Sequence, residues 1–251
     1  MADSPGTLVV TGAGRGIGAA VARAAAAAGW RVAVHYGTSR TAAEAVVAEI
    51  AAAGGTAAAF PAEIADAAAV ADLFAAVDRR LGPVAGLVNN AGIIGARAPI
   101  AALAPGLVER VLAVNVAGTM YATAEAVRRM ARSRGGAGGA IVNVSSLVSL
   151  TGGLPQEVHY AASKGAVDSL TLGLARELAA DGIRVNAVRP GIIATDIHEV
   201  HGGRAFVEGF AANIPAGRAG TAEEVAATVL WLLSEAAAYV TGALLNVAGG
   251  R

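Results

Sequence analysis

The chain has no cysteine, which excludes disulfide bonds and thiolate chemistry and leaves the compartment open by this criterion. It has no excess of charge, because 19 basic residues balance 19 acidic ones without a basic block, and this argues against a nucleic-acid or membrane-surface partner. The long uncharged stretch 135–156 is broken by glycine, serine and proline, and no basic-then-apolar leader follows Met1. We therefore expect a cytoplasmic protein with a small-molecule partner.

Hydrophobic residues make up 55% of the 251 positions and aromatic residues only 4%, so the core is expected to consist of valine, leucine, isoleucine and alanine. Short β-branched runs alternate with helical patterns. They predict strands at 8–10, 31–36, 56–60, 86–89, 140–145, 183–188 and 243–247, and helices at 19–28, 41–53, 67–81, 103–132, 160–180 and 222–234. This order predicts an α/β fold, a three-layer doubly wound parallel sheet of the Rossmann type, in a single domain over 1–251.

The alternation of strands and helices stops between Pro190 and Thr221, a stretch with a short apolar patch at 205–214 and with Gly202-Gly203, Pro215 and Gly217 on either side of the patch. This segment follows the carboxyl end of a predicted strand, where ligands of such sheets bind. Long irregular segments inside a domain are usually functional, so we interpret about 192–220 as a substrate lid. The alternative is a solvent-exposed loop.

A glycine-rich turn joins the first predicted strand to the first helix. Its spacing, Gly12-x-x-x-Gly16-x-Gly18 with Gly14 and Arg15 between, is not the dinucleotide fingerprint G-x-G-x-x-G. Glycine lets the backbone approach a ligand, and the N–H groups of the helix start favour an anion. The turn therefore predicts a phosphate cradle, with an ordinary tight connection as the alternative.

Tyr160 and Lys164 lie four residues apart, on one face of a predicted helix. A tyrosine titrates near ~10, and lowering this to about 7 requires roughly 4 kcal/mol. A positive charge about 4 Å away supplies roughly that much, so we predict that Lys164 lowers the pKa of Tyr160. Ser146, at the end of the fifth predicted strand, can donate a hydrogen bond to a substrate carbonyl. The alternatives are a snorkelling lysine and a turn serine.

These residues resemble the short-chain dehydrogenase/reductase family, in particular the subgroup of 3-oxoacyl-carrier-protein reductases and glucose dehydrogenase-like enzymes. Six motifs occur in the family's order along the whole chain: Thr11-Gly12-x-x-x-Gly16-x-Gly18, Asn89-Asn90-Ala91-Gly92, Asn115, Ser146, Tyr160-x-x-x-Lys164 and Pro190-Gly191. Ser146 precedes Tyr160 by 14 positions (160 − 146), one more than is commonest, so Ser145 stays an alternative.

The resemblance implies that Tyr160 is the general acid/base, that Lys164 lowers its pKa and binds the nicotinamide ribose, and that Ser146 positions the carbonyl. It implies that Asn115 supports a proton relay to the lysine; from the residues alone, Asn115 is equally a buried helix residue. Glu63 stands where an aspartate more often contacts the adenine. The further cofactor contacts that the resemblance implies are Ile17, Ile64, Asn90, Ala91, Gly92, Pro190, Gly191, Ile193 and Thr195. It also implies a homotetramer.

The choice of nucleotide can be predicted from charge. An NAD site has a carboxylate at the end of the second strand, and here Tyr36 occupies that place. Acidic residues are absent between Arg15 and Glu44, whereas Arg15, His35, Ser39 and Arg40 can reach an anion. We therefore predict NADP(H), with NAD(H) possible and solvated arginines as the alternative.

Three further histidines are candidate site residues. His198 and His201 are predicted to contact the lid or the substrate rather than a metal, since there is no cysteine or paired carboxylate cluster, and no metal is predicted. His159 is predicted at the pocket mouth. The resulting hypothesis is an NADP(H)-dependent oxidoreductase interconverting a ketone or aldehyde and an alcohol. The alternatives are a non-catalytic NADP(H)-binding sensor or scaffold, and an NAD-dependent alcohol or sugar dehydrogenase.

Overall fold

A computed structural model describes residues 5–251, apart from the side chain of His198. Within these residues, seven parallel strands form one sheet in the order β3-β2-β1-β4-β5-β6-β7. The strands are β1 Thr7–Val10, β2 Arg31–Tyr36, β3 Thr56–Pro61, β4 Val84–Asn89, β5 Gly139–Val144, β6 Ile183–Pro190 and β7 Leu244–Val247. The strand order reverses between β1 and β4, and ligands bind at such a switch point, at the carboxyl ends of the strands. The predicted doubly wound sheet is confirmed.

Helices cover both faces of the sheet. They are α1 Gly16–Ala27, α2 Arg40–Ala52, α3 Ala67–Leu81, α4 Pro105–Leu112, α5 Gly118–Met130, α6 Val148–Thr151, α7 Val158–Leu178, α8 Arg204–Phe210 and α9 Ala222–Leu233. One apolar core joins the sheet to α1, α2 and α9, and a second joins it to α3, α5 and α7. No helix in residues 5–251 combines the length and apolar character needed to cross a bilayer.

Local sequence signals explain where several elements begin and end. In β1, Val9 faces one apolar core while Leu8 and Val10 face the other, as expected of a strand buried on both sides. The side chain of Asp66 accepts hydrogen bonds from the first N–H groups of α3, and Gly82 ends this helix with φ +85°. These signals lie close in sequence, so α3 has its predicted bounds.

The structure differs from the predicted elements in three places. The segment 190–221 is partly helical: it contains 3₁₀ turns at Asp196–His201 and Ala211–Asn213, with α8 between them. Val207 of α8 is buried, which gives this short helix an apolar contact. The short α6 was not predicted, and a π-helical turn, Ala113–Ala117, separates α4 from α5 within the predicted long helix.

Candidate active site

Two adjoining cavities open at the carboxyl ends of the strands. We call the one above β1 and β2 the outer cleft and the one beside β5 and β6 the inner cavity. The outer cleft is lined in part by Gly12, Gly14, Arg15, Gly16, His35, Tyr36, Ser39, Glu63, Ile64 and Ala91. The inner cavity is lined in part by Ser146, Tyr160, Lys164, Pro190, Gly191 and Ile193. Ile17, Asn90, Gly92, Thr195 and Ile197 line both, so the two are continuous.

The glycine turn is fixed to the end of β4 by hydrogen bonds. Asn90 Nδ2 donates to Thr11 O and Gly12 O, both at 3.0 Å. A Cβ atom on Gly18 would lie 2.5 Å from Gly12 O, so this position leaves no room for a side chain. Beyond the turn, α1 begins without a side-chain cap from Arg15, and its first N–H groups adjoin the outer cleft. A close backbone and an uncapped helix start fit the pyrophosphate of a dinucleotide.

His35 cannot serve as the predicted anion contact. Its buried ring accepts a hydrogen bond at Nδ1 from Gly12 N (3.1 Å), so Nε2 is the donor to Ala62 O (3.1 Å). Burial also lowers the pKa of His35. A neutral imidazole with both nitrogens engaged has no donor left for a phosphate, so the prediction was wrong for this residue.

The other predicted anion contacts lie in different environments. Arg15 is exposed in the wall of the outer cleft, and within residues 5–251 it has no ion pair. Tyr36 and Ser39 also line this cleft. Arg40 is instead directed to Glu44, with Nε 2.7 Å from Oε1. Arg15 is therefore the cation best placed for an anionic group.

Glu63 is held by a partner that the sequence did not indicate. Its carboxylate accepts hydrogen bonds from Arg110 Nη2 (2.9 Å) and Ala65 N (3.0 Å), and these hydrogen bonds hold its pKa below the usual value. Arg110 belongs to α4 and lies 47 positions from Glu63 in sequence, so no local pattern links them. The ion pair offsets the negative charge of Glu63 at the cleft.

Ser146, Tyr160 and Lys164 are buried together in the inner cavity. Ser146 follows β5, and its side chain lies close enough to Tyr160 on α7 to act on the pKa of the tyrosine. Ser145 Oγ instead donates to Lys164 O at 3.2 Å, so it contacts the helix backbone. Of the two serines, Ser146 is therefore the one in contact with the tyrosine.

The pKa of Tyr160 is shifted in the direction opposite to the prediction. Burial, with a smaller contribution from the negative charge of Glu157, raises it to about 12 against the opposing effect of Ser146. Lys164 Nζ donates to Val144 O (2.8 Å) and lies 5.8 Å from the tyrosine ring centre. Burial dominates the pKa of Tyr160, and Lys164 is not among the groups that shift it, so the predicted lowering is not found in this structure. Burial lowers the pKa of Lys164 itself to about 8.

Asn115 lies in the π-helical turn, a feature often found at functional sites. Its Nδ2 donates to Ile93 O and Ser163 Oγ, and its Oδ1 accepts from Ile93 N, all at 2.9 Å. A Cβ atom on Gly92 would lie 3.3 Å from Asn115 Oδ1 and 3.5 Å from Lys164 Nζ. Asn115 therefore fixes the chain after β4 next to the lysine.

The predictions for the histidines have different outcomes. His159 is buried, with Nε2 bonded to Ile94 O (3.0 Å), so it does not lie at the pocket mouth as predicted. His201 lines the inner cavity, whereas the side chain of His198 lies outside the part that is described. The described residues contain no cluster of three or more metal-ligating side chains. Glu157 and Arg251 also line the inner cavity, although no sequence motif indicated them.

Comparison with known proteins supports a family assignment. A family model described as enoyl-(acyl carrier protein) reductase matches residues 12–251. The chain is 48% identical over 243 residues to an uncharacterized oxidoreductase, YgfF, of Escherichia coli strain K12, covering 97% of this chain and 98% of that protein. It is 40% identical over 243 residues to a 3-oxoacyl-[acyl-carrier-protein] reductase of Synechocystis, covering 96% and 95%.

The fold comparison agrees with the sequence comparisons. A mutant of a Serratia marcescens short-chain dehydrogenase/reductase superposes with a TM-score of 0.90 at 34% identity, covering 98% of both chains. Members of this family bind NAD(P)(H). The glycine turn and the Ser146–Tyr160–Lys164 cluster therefore lie in a chain that belongs to the short-chain dehydrogenase/reductase family of enzymes.

Proposed function

We propose that this enzyme is an NADP(H)-dependent oxidoreductase that interconverts a ketone or aldehyde and an alcohol, with Tyr160 as the general acid/base. One observation carries the proposal: Ser146 and Tyr160, whose side chains interact, line a cavity that is continuous with the outer cleft. A bound nicotinamide nucleotide supplies the hydride in reduction and accepts it in oxidation. The residues of the chain have to orient the carbonyl and move the proton.

The hydroxyl groups of Ser146 and Tyr160 provide two donors for one carbonyl oxygen. Donors fixed before the reaction stabilise the negative charge that develops on this oxygen, and they do so most strongly in a buried site. With a pKa raised to about 12, Tyr160 keeps its proton at neutral pH. It is therefore ready to donate in the reductive direction, and burial opposes its deprotonation in the oxidative direction.

Lys164 provides the positive charge next to this tyrosine. Its pKa of about 8 leaves it mainly protonated at pH 7, although it is buried. An ammonium group in a buried site interacts strongly with a tyrosinate that forms nearby. We propose that Lys164 supports proton donation in this way and also holds the nicotinamide ribose, and that Asn115 supports the relay that restores the proton.

We propose NADP(H) as the preferred nucleotide, with NAD(H) possible. The support comes from Tyr36, which stands at the end of β2 in place of a carboxylate, and from the exposed Arg15 in the same cleft wall. An NAD site uses an acidic residue there, and this residue would repel a 2′-phosphate. Ser39, with its hydroxyl at the same cleft, is a second candidate contact.

We also propose that the 192–220 segment covers the substrate. Ile192, Ile197 and His201 line the inner cavity, so this segment contributes directly to its wall. A homotetramer is proposed as well, because Met120 on α5 and Leu172 on α7 expose large apolar side chains. The cytoplasmic location stays a prediction.

The test is a screen over ketones and aldehydes with NADPH and NADH, following the absorbance of the reduced nicotinamide, together with fluorescence measurement of NADPH binding. We expect turnover of at least one carbonyl compound and a lower KM for NADPH than for NADH. Tight NADPH binding without any turnover would favour the sensor or scaffold alternative. A clear preference for NADH would contradict the nucleotide assignment alone.

A further inference from the structure

The inner cavity contains a buried carboxylate that the proposed chemistry does not use. Glu157 is 2% exposed and lies just before α7, three residues ahead of Tyr160. Glu157 lines the same cavity as Ser146 and Tyr160, and its charge acts on the tyrosine. Buried carboxylates are rare unless they are paired, so the partners of Glu157 are informative.

Arg97 and His201 both contact the same carboxylate oxygen of Glu157. Oε1 accepts a hydrogen bond from His201 Nε2 and lies 3.3 Å from Arg97 Nε. Within residues 5–251, Oε2 of Glu157 has no hydrogen-bond partner. This oxygen is also not fully enclosed by protein atoms. One oxygen is therefore anchored, and the other remains able to accept a hydrogen bond from a molecule in the cavity.

The surroundings hold the carboxylate in this position. Gln156 has φ +74°, the one non-glycine residue with positive φ in the described part of the chain, and its carbonyl accepts a hydrogen bond from Ala98 N (3.1 Å). On the other side, His201 stacks on Phe206 with ring centres 4.7 Å apart. Such backbone strain and packing are typical of positions that orient a functional side chain.

We propose that Glu157 determines the substrate class, and that its Oε2 accepts a hydrogen bond from a hydroxyl group carried a few carbons from the reacting carbonyl. The proposal rests on the proposed oxidoreductase function. The preferred substrates are hydroxylated aldehydes and ketones. A plain alkyl chain in this place would leave a desolvated carboxylate oxygen unpaired, and sites built to bind a hydroxyl group discriminate strongly against analogues that lack it.

A carboxylate-bearing substrate is the competing possibility, because Arg251 also lines the cavity. Its guanidinium carbon, however, lies over the Phe210 ring at 4.7 Å from the centre. Glu157 adds a negative charge beside the tyrosine, which repels a second carboxylate. The balance of contacts favours a neutral hydroxyl group.

The test compares four-carbon ketones that differ in one group: 2-butanone, 3-hydroxy-2-butanone, 4-hydroxy-2-butanone and acetoacetate, each reduced with NADPH. We expect wild-type kcat/KM for one of the hydroxybutanones to exceed that for 2-butanone by about 10- to 100-fold, the effect of a hydrogen bond to a charged group. In Glu157→Leu this ratio should fall to about one, mainly through KM for the hydroxybutanone.

Three further variants separate recognition from folding. Glu157→Gln keeps an acceptor oxygen and should retain part of the preference. His201→Gln removes the imidazole but keeps the Glu157 carboxylate, so the ratio should survive even if overall activity falls. Glu223→Gln, an exposed charge change on α9, should match the wild type. A loss that is equal for hydroxylated and plain ketones would indicate a merely structural role.

Other outcomes overturn the proposal. Equal wild-type kcat/KM for 2-butanone and both hydroxybutanones, a preference for acetoacetate, or an unchanged ratio in Glu157→Leu would each contradict it while leaving the oxidoreductase function intact. If wild type binds NADPH but reduces no carbonyl compound in the broader screen, the oxidoreductase function itself fails, and the Glu157 assignment fails with it.

Discussion

A buried ion pair connects the helix that carries Tyr160 and Lys164 to the strand that ends beside them. Arg189 Nε and Nη2 lie 2.9 and 2.8 Å from Asp168 Oδ2, and the two side chains are 12% and 9% exposed. Asp168 lies one helical turn after Lys164, and Arg189 directly precedes Pro190 in the cavity wall. The substitution Asp168→Asn therefore tests both stability and the active site.

The expected loss of stability is large for one substitution. Removing one partner of a buried ion pair costs about 3–5 kcal/mol, because the remaining charge is left without compensation. Replacing both residues, as in Asp168→Leu with Arg189→Met, should recover much of this loss. Asp168 also raises the pKa of Lys164, so Asp168→Asn should lower that pKa further and move the alkaline fall of reductive activity to lower pH.

Urea unfolding measures the first effect, and the pH profile of kcat/KM measures the second. Glu49→Gln is a matched control, because it breaks an ion pair with Arg23 in which both side chains are about half exposed, and such pairs contribute about 0–1 kcal/mol. A loss below about 1 kcal/mol for Asp168→Asn, together with an unchanged alkaline limb, would refute the reasoning.

Three more predictions follow from the same contacts. Gly18→Ala places a methyl group 2.5 Å from a backbone carbonyl oxygen, so it should lower the free energy of unfolding by about 1–3 kcal/mol and weaken NADPH binding. Gly173 has open space around it, so Gly173→Ala should not destabilise the protein in the same urea unfolding experiment. In steady-state assays, Arg15→Ala should raise KM for NADPH about tenfold and leave KM for NADH nearly unchanged. Arg40 is paired with Glu44, so Arg40→Ala should change both KM values less. Because Lys164 loses its charge above about pH 8, reductive kcat/KM should fall above that pH. Lys164→Arg should move this fall to higher pH in a pH titration. An unchanged alkaline limb would show that the fall does not come from Lys164.

The elements with local signals were predicted well. The bounds of β2 and α3 are those expected, since the alternating β-branched pattern, the Asp66 cap and the Gly82 stop are all contained in a few neighbouring residues. The site residues were predicted to meet because they follow strands or lie on one helix face, and parallel strands bring their carboxyl ends together. In the structure most of them line the outer cleft or the inner cavity, whereas Gly18, Arg40 and Asn115 are not among the lining residues.

The errors concern contacts between residues that are distant in sequence. The hydrogen bonds of the His35 ring to Gly12 N and Ala62 O, and the hydrogen bond of Lys164 to Val144 O, depend on how the strands and α7 pack. The Glu157–His201 contact spans 44 positions, and neither residue belongs to a recognisable motif. A sequence pattern indicates which side chains share an edge, but the charge state of each side chain is set by burial and by these partners.

The most direct test of the central claim is Tyr160→Phe, which removes one hydroxyl group and keeps the buried ring. The measurement is NADPH oxidation with a carbonyl substrate that the wild type reduces, alongside NADPH binding by fluorescence. We predict that kcat/KM falls by about 10²- to 10⁴-fold while the dissociation constant for NADPH stays within about threefold of the wild type. Near-full turnover by Tyr160→Phe would contradict the assignment of this phenol as the proton donor.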